Sequence, residues 1–254
     1  MIVGYYWYPY LGYQEECQQV PIQFPPQSQL VQPGLETLME PKPVFDRPSY
    51  IGTGKLKDKV ALITGGDSGI GRATAVAFAK EGADICIAYY NEHEDAQITK
   101  SCIEAQGRRC LLMAGDIRDE MFCREAVACT VSTFGGPDIL VNNAGVQFPQ
   151  ASIEDIPVNQ MILTFEVNFF GLFIMTKTAL PYLKCGSSII NTTSITAYLG
   201  DDQLIDYSST KGAIVSFTRA MARSLVSKGI RVNAVAPGPI WTPLQPASWP
   251  ACVM

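Results

Sequence analysis

From Lys59 onward, hydrophobic and polar positions alternate in blocks of two kinds. The first kind is a short run rich in β-branched residues and apolar on both faces. Six such runs occur: KVALIT (Lys59–Thr64), ICIAYY (Ile85–Tyr90), RCLLMAGD (Arg109–Asp116), DILVNNAG (Asp138–Gly145), SSIINTTS (Ser187–Ser194) and IRVNAVAP (Ile230–Pro237). They read as strands. The second kind has helical spacing: GRATAVAFAKEGA, DAQITKSCIEAQG, DEMFCREAVACTVSTFG, a long stretch from about Val158 to Lys184, and another from Tyr207 to Lys228. Gly82 and Gly107 supply helix stops. Strands that are apolar on both faces and alternate with helices predict a parallel sheet covered on both sides. The fold class is therefore α/β, a Rossmann-like doubly wound sheet with strand order 3-2-1-4-5-6.

The pattern divides the chain into an extended arm, residues 1–57, and a single Rossmann-like domain, residues 58–254. The arm is rich in Pro, Gln and aromatics, with PIQFPPQSQLVQPG at its centre. That composition suits an extended segment. Residues up to Val31 read as disordered, and Gln32 to Lys57 as an arm laid across a neighbouring subunit.

Composition narrows the function classes. With 47% hydrophobic and 17% charged residues, 254 residues can build a large core. A net charge of −5 argues against nucleic acid as a partner. No uninterrupted run of about 18 apolar residues is visible, so no membrane span is expected. The N-terminus has no basic residue before Lys42, unlike a secretory signal. The eight cysteines form no C-x-x-C pair and read as reduced, mostly buried thiols of a cytoplasmic protein, without a metal site. His93, the single histidine, falls in a charged helix start and reads as solvated rather than catalytic.

Two stretches carry chemistry. TGGDSGIG (Thr64–Gly71) joins the first strand to its helix, spaced T-G-x-x-x-G-x-G. Gly65 permits a tight turn, Gly69 lets a pyrophosphate approach the backbone, and Gly71 lets the helix pack close to the strand. Free N–H groups and the helix dipole then face phosphate. The second strand ends in Tyr89, Tyr90 and Asn91 and declares neither NAD nor NADP. Asp116, ending the third strand, is placed either to accept from the adenine amino group or to cap the next helix. In DYSSTKGAIVSFTRA, Tyr207 and Lys211 stand four apart on one helical face. A nearby ammonium is expected to lower the phenol pKa toward neutrality. Ser194 ends the fifth strand, on the sheet edge where ligands bind.

TGGDSGIG, NNAG (Asn142–Gly145), Asn168 in EVNFFG, Ser194, YSSTK and the PG turn (Pro237–Gly238) together resemble the short-chain dehydrogenase/reductase family, over about Lys55 to Pro250. Longer phrases, including KLKDKVALITGGDSGIGRA, NEHEDA, APGPIWTPL and PGLETLMEPKP of the arm, resemble a bacterial branch of general-stress and glucose-dehydrogenase-like oxidoreductases. The resemblance implies an NAD- or NADP-dependent oxidoreductase acting on an alcohol, aldehyde, ketone or sugar. It makes Tyr207 the general acid/base, Lys211 its partner and a holder of the nicotinamide ribose, and Ser194 the group that polarises the carbonyl. Asn168 would position a water in a proton relay. Cofactor contacts would come from Gly65, Asp67, Ser68, Gly69, Ile70, Gly71, Asn91, Asp116 and Ile117. Further along they would come from Asn142, Ala144, Gly145, Tyr207, Lys211, Pro237, Gly238, Ile240 and Thr242.

The family pattern also implies a homo-oligomer, dimer or tetramer, paired through the Phe-, Ile- and Met-rich helices that carry Asn168 and Tyr207. It continues past PLQPASWPA with a substrate lid and a seventh strand, which are absent from this sequence. The sequence reads as a truncated form, with two functional alternatives. One is an active oxidoreductase; the other is an impaired relative with at most dinucleotide binding.

Overall fold

A computed structural model describes residues 24–252. The six strands are β1 (Val60–Thr64), β2 (Asp84–Tyr89), β3 (Cys110–Ala114), β4 (Ile139–Asn142), β5 (Ser188–Thr192) and β6 (Arg231–Val235). They form one parallel sheet in the order β3-β2-β1-β4-β5-β6, as the apolar runs predict. The chain reverses direction across the sheet between β1 and β4, which opens a crevice at their C-terminal ends.

Every residue of β1, β2 and β4 is buried. Alternate side chains feed two separate cores. Ala61, Ile63, Ile85 and Ile87 meet Ala75, Ala79, Ala96 and Ile103 of helices α1 (Gly69–Lys80) and α2 (His93–Glu104). Leu62, Cys86, Leu140 and Ile189 meet Phe122 and Ala126 of α3 (Glu120–Phe134) on the opposite face. Each fully buried Leu or Ile contributes about 1.5–3 kcal/mol. Two packed faces therefore fix both the layers and the register.

The long apolar stretch is one helical run with a defect. It comprises α4 (Val158–Phe165), a π-helical turn (Glu166–Gly171) and α5 (Leu172–Ala179), closed by a 3-10 turn (Leu180–Tyr182). By length and mean composition the helical run Val158–Tyr182 could cross a membrane, although Asn, Gln, Glu and Lys interrupt its apolar residues. Here Met175 and Ala179 face the core instead. After β5 come α6 (Thr196–Leu199) and α7 (Ile205–Leu225). The second starts two residues before Tyr207 and gives way to a 3-10 turn at Val226–Lys228.

The expectation for residues up to Val31 lies outside the described residues as far as position 23. From Phe24 onward the arm makes contacts with its own chain. Phe24 stacks on Trp241 at 4.0 Å between ring centroids. Trp241 donates to the Pro41 carbonyl, and Gln29 N–H donates to the Pro246 carbonyl. Cysteines 86 and 123 are buried, 102, 110 and 129 half-buried, and 185 and 252 exposed, so the thiols are less uniformly interior than the sequence suggests.

Candidate active site

A cavity of about 560 Å³ lies over the C-terminal ends of β1, β4 and β5. Its floor at one end is the loop from β1 to α1. Gly65 has φ +61°, and a Cβ there would sit 2.9 Å from Ala144 Cα. The turn therefore excludes any side chain. At Gly71 a Cβ would fall 1.8 Å from the Gly65 carbonyl oxygen. Gly71 serves the close approach of α1 to β1 and does not line the cavity, whereas Gly65, Asp67, Ser68, Gly69 and Ile70 do.

The loop is held from behind by the arm. The Gly69 N–H donates to Glu36 Oε2 at 2.7 Å, and Glu36 Oε1 pairs with Arg72. Arg72 is 3% exposed and also donates to the Asp67 carbonyl and to Asp95. The Glu36 and Thr37 N–H groups in turn donate to the Asp95 carboxylate. A buried charge cluster is stable only when its partners satisfy one another. This one welds the arm, the phosphate loop and α2 together. The sequence signal for it was the arm phrase PGLETLMEPKP, which carries no periodicity.

At the other end of the cavity stand Ser194, Tyr207 and Lys211, all buried. Tyr207 is set by the residue before it. Asp206 is buried and accepts from Thr164, Gln160 and the Tyr207 N–H, at 2.9, 3.1 and 2.8 Å. Lys211 Nζ donates to the Thr192 carbonyl at 2.9 Å and lies 5.3 Å from the Tyr207 ring centroid. Burial pushes the Tyr207 phenol up to about 12, against a downward pull from the Ser194 hydroxyl. Burial also drives the Lys211 ammonium down to about 8. This reverses the expectation of a phenol lowered by its lysine. The ammonium sits over the ring face and is committed to a backbone carbonyl, so desolvation dominates both groups.

Asn168 lies in the π-helical turn, 1% exposed and behind the cavity wall. Its amide accepts from Val146 N–H and donates to the Val146 carbonyl and to Thr210. It braces the β4 loop against α7, next to Lys211: a Cβ on Gly145 would lie 3.2 Å from Asn168 Oδ1 and 3.6 Å from Lys211 Nζ.

The remaining expected contacts divide. Asp116, Ile117, Ala144, Gly145, Pro237, Gly238, Ile240 and Thr242 line the cavity. Asp116 is gripped by Arg118, at 2.6 Å for the closest pair, and the cap of α3 is Asp119. Asn91 is exposed and lies off the cavity. Asn142 also lies off it, because its amide turns into the sheet toward Thr176 and Asn191. Asn143 lines the cavity in its place. Tyr90 and Glu92, at the strand end expected near the adenosine ribose, line it as well, and so do arm residues Gln32 to Gly34, which the sequence did not announce. Gln32 accepts from the Gln147 N–H and donates to the Gln147 carbonyl. His93 is exposed at the start of α2, with Nδ1 2.9 Å from the Tyr89 hydroxyl.

The cradle fits a dinucleotide by its own features. Gly65 and Gly69 take positive φ and present bare backbone to the cavity, and among the described residues the buried Glu92 Oε1 has no partner. No cluster of metal-ligating side chains occurs among the described residues.

Comparison with known proteins gives the same picture. A family model described as short chain dehydrogenase matches residues 59–252. General stress protein 39 of Bacillus subtilis is 61% identical over 230 residues, covering 91% of this chain and 80% of that protein. Glucose and ribitol dehydrogenase of Daucus carota is 46% identical over 233 residues, covering 89% and 80%. Among solved structures, a short chain dehydrogenase from Burkholderia cenocepacia in complex with NADP superposes with a TM-score of 0.70. It shares 37% identity and covers 74% of this chain and 77% of its own.

Proposed function

The chain belongs to the short-chain dehydrogenase family of oxidoreductases, and we propose that it interconverts an alcohol and a carbonyl with Tyr207 as general acid/base. The observation that carries this reading is the convergence of Ser194, Tyr207 and Lys211 in the cavity that also contains the glycine cradle. NAD or NADP, when bound, supplies or accepts the hydride. Gly65, Ser68, Gly69 and Ile70 would hold its phosphates, and Lys211, Pro237, Gly238, Ile240 and Thr242 its nicotinamide half.

The protein's part is orientation and proton traffic. The Ser194 hydroxyl donates to the substrate oxygen and holds it against the Tyr207 hydroxyl. Tyr207 gives that oxygen a proton in reduction and removes it in oxidation. The Lys211 ammonium favours the phenolate during the second step, and Asn168 keeps the lysine's surroundings in place. Gln147, Asp201 and Gln245 line the substrate end. Their polarity suits a hydroxylated substrate, in keeping with the similarity to the carrot glucose and ribitol dehydrogenase.

The test is oxidation of a polyol and sugar panel, and reduction of matching aldehydes, by purified chain with each dinucleotide. Tyr207→Phe should lose about 10³-fold in kcat while binding dinucleotide as before. Undiminished turnover in that variant would remove the assignment.

A further inference from the structure

Resting on the oxidoreductase reading above, we infer that the N-terminal arm supplies a substrate-positioning residue, Gln32. It clamps the backbone of Gln147, so that the Gln147 carboxamide meets a second hydroxyl of a polyhydroxylated substrate. The loop after β4 is gripped twice in succession. The Asn168 carboxamide, from the π-helical turn, accepts from the Val146 N–H and donates to the Val146 carbonyl. The Gln32 carboxamide does the same one residue on. It accepts from the Gln147 N–H at 3.1 Å and donates to the Gln147 carbonyl. Ser248, on the loop that follows β6, donates to the same carbonyl at 3.3 Å. With the N–H and C=O groups of both residues occupied, the backbone is held and the Gln147 side chain leaves it in one direction.

That side chain is unpartnered. Gln147 is 3% exposed and lines the cavity. Its hydrogen bonds use the backbone, and among the described residues its carboxamide has none. A buried amide in that state costs stability unless a ligand meets it. A carboxamide both donates and accepts, as an alcohol hydroxyl does, whereas a carboxylate or phosphate would use only half of it. The spacing suits a polyol. Gly145 packs against Lys211, where a Cβ would lie 3.6 Å from Nζ. Gln147 comes two residues later, at most about 7 Å of extended chain away. A hydroxyl a few carbons along from the reacting one falls in that range. The arm can hold Gln32 in place because it is itself anchored. The Gln29 carboxamide bonds the Leu35 N–H and carbonyl at 2.7 and 2.8 Å and closes the segment around Gln32. The Gln29 N–H reaches the Pro246 carbonyl. At Gly34 a Cβ would fall 2.6 Å from the Pro243 carbonyl oxygen, so arm and loop meet backbone to backbone.

The experiment compares kcat/KM for oxidation of ribitol, glucose and 2-pentanol by the full chain, with whichever dinucleotide it binds more tightly. It is run on the unmodified chain, Gln147→Leu, Gln32→Ala and the double variant. Gln147→Leu should lower kcat/KM for ribitol about tenfold, chiefly through KM, and move 2-pentanol less than twofold. Gln32→Ala should show the same split, with dinucleotide Kd unchanged within twofold. The double variant should be no worse on ribitol than Gln147→Leu alone, because Gln32 acts through that carboxamide. Gln32→Met, of similar length, is the second variant should the alanine not fold. Parallel losses on ribitol and 2-pentanol, repeated in the Gln147→Leu background, would make Gln32 a purely structural strap and overturn the proposal. Turnover of 2-pentanol but of neither ribitol nor glucose would also overturn it, while leaving the oxidoreductase reading intact. If no substrate turns over with either dinucleotide, that reading and this inference fall together.

Discussion

At the residue scale, two desolvated groups set the pH response. Lys211 keeps its proton in the free protein only up to about pH 8, because burial disfavours the ammonium. Catalysis that needs this charge should therefore decline as pH rises through about 8. The kcat/KM profile for carbonyl reduction shows this as a single falling limb. Lys211→Met should lack that limb and be slower throughout; a wild-type profile flat to pH 9.5 would contradict the assignment. Asp67 acts on stability. Its carboxyl titrates near 3.8 when unfolded and at about 7 when folded, through burial and then the Glu92 charge. Between these values the folded chain binds the extra proton, so stability falls as pH rises. Asp67→Asn should thus raise the melting temperature at pH 8 and do little at pH 5, read by differential scanning fluorimetry. The strand-end residues over the cavity were the least legible part of the sequence. Strand-end neighbours point in opposite directions, so whether Asn142 or Asn143 meets the cavity depends on pleat phase, and the motif alone does not declare it.

At the element scale, the arm is a working part of the phosphate loop. Glu36 reaches across 33 residues of sequence to accept from the Gly69 N–H, and it occupies the ion-pairing site of Arg72. Removing one partner of a buried pair leaves the other charge uncompensated, at a cost of about 3 kcal/mol. Glu36→Ala should show that loss in urea unfolding, together with weaker dinucleotide binding as the loop loosens. Glu36→Gln, which can still accept from Gly69, should bind more tightly than the alanine variant. Equal binding by all three proteins would make the arm mere padding. The elements differ in how far the sequence declared them, and each difference has a physical cause. The strands were legible because the central ones, β1, β2 and β4, are buried on both faces and must be apolar throughout. The π-helical turn was not, because one extra residue per turn hardly disturbs an apolar pattern over so short a span. The turn nonetheless places Asn168 against Val146. The docking of the arm was equally hidden, since contacts between distant segments of no periodicity leave no local trace.

At the scale of the whole molecule, the unsolved surface is the outer face of the α4–α5 run. Val158, Phe170 and Phe173 are 70%, 49% and 47% exposed. The last two extend an aromatic cluster with Phe165, Phe169 and Phe217 of α7, at ring spacings of 5.7 to 6.4 Å. An apolar patch of this kind on a folded protein marks a surface that becomes covered. A second copy of the chain is the natural cover, since a two-fold axis would set each helical run against its equivalent. Such an interface would also steady the site. The same run carries Asn168 and Thr164, and Thr164 donates to the Asp206 carboxylate that fixes Tyr207. Association and catalysis should accordingly fail together. Phe173→Lys should shift the sedimentation coefficient from that of a dimer or tetramer to that of a monomer, and lower kcat more than it weakens dinucleotide binding. A wild-type chain that sediments as a monomer at micromolar concentration would refute the two-fold assembly. Co-flotation of that monomer with lipid vesicles would assign the face to a bilayer surface instead.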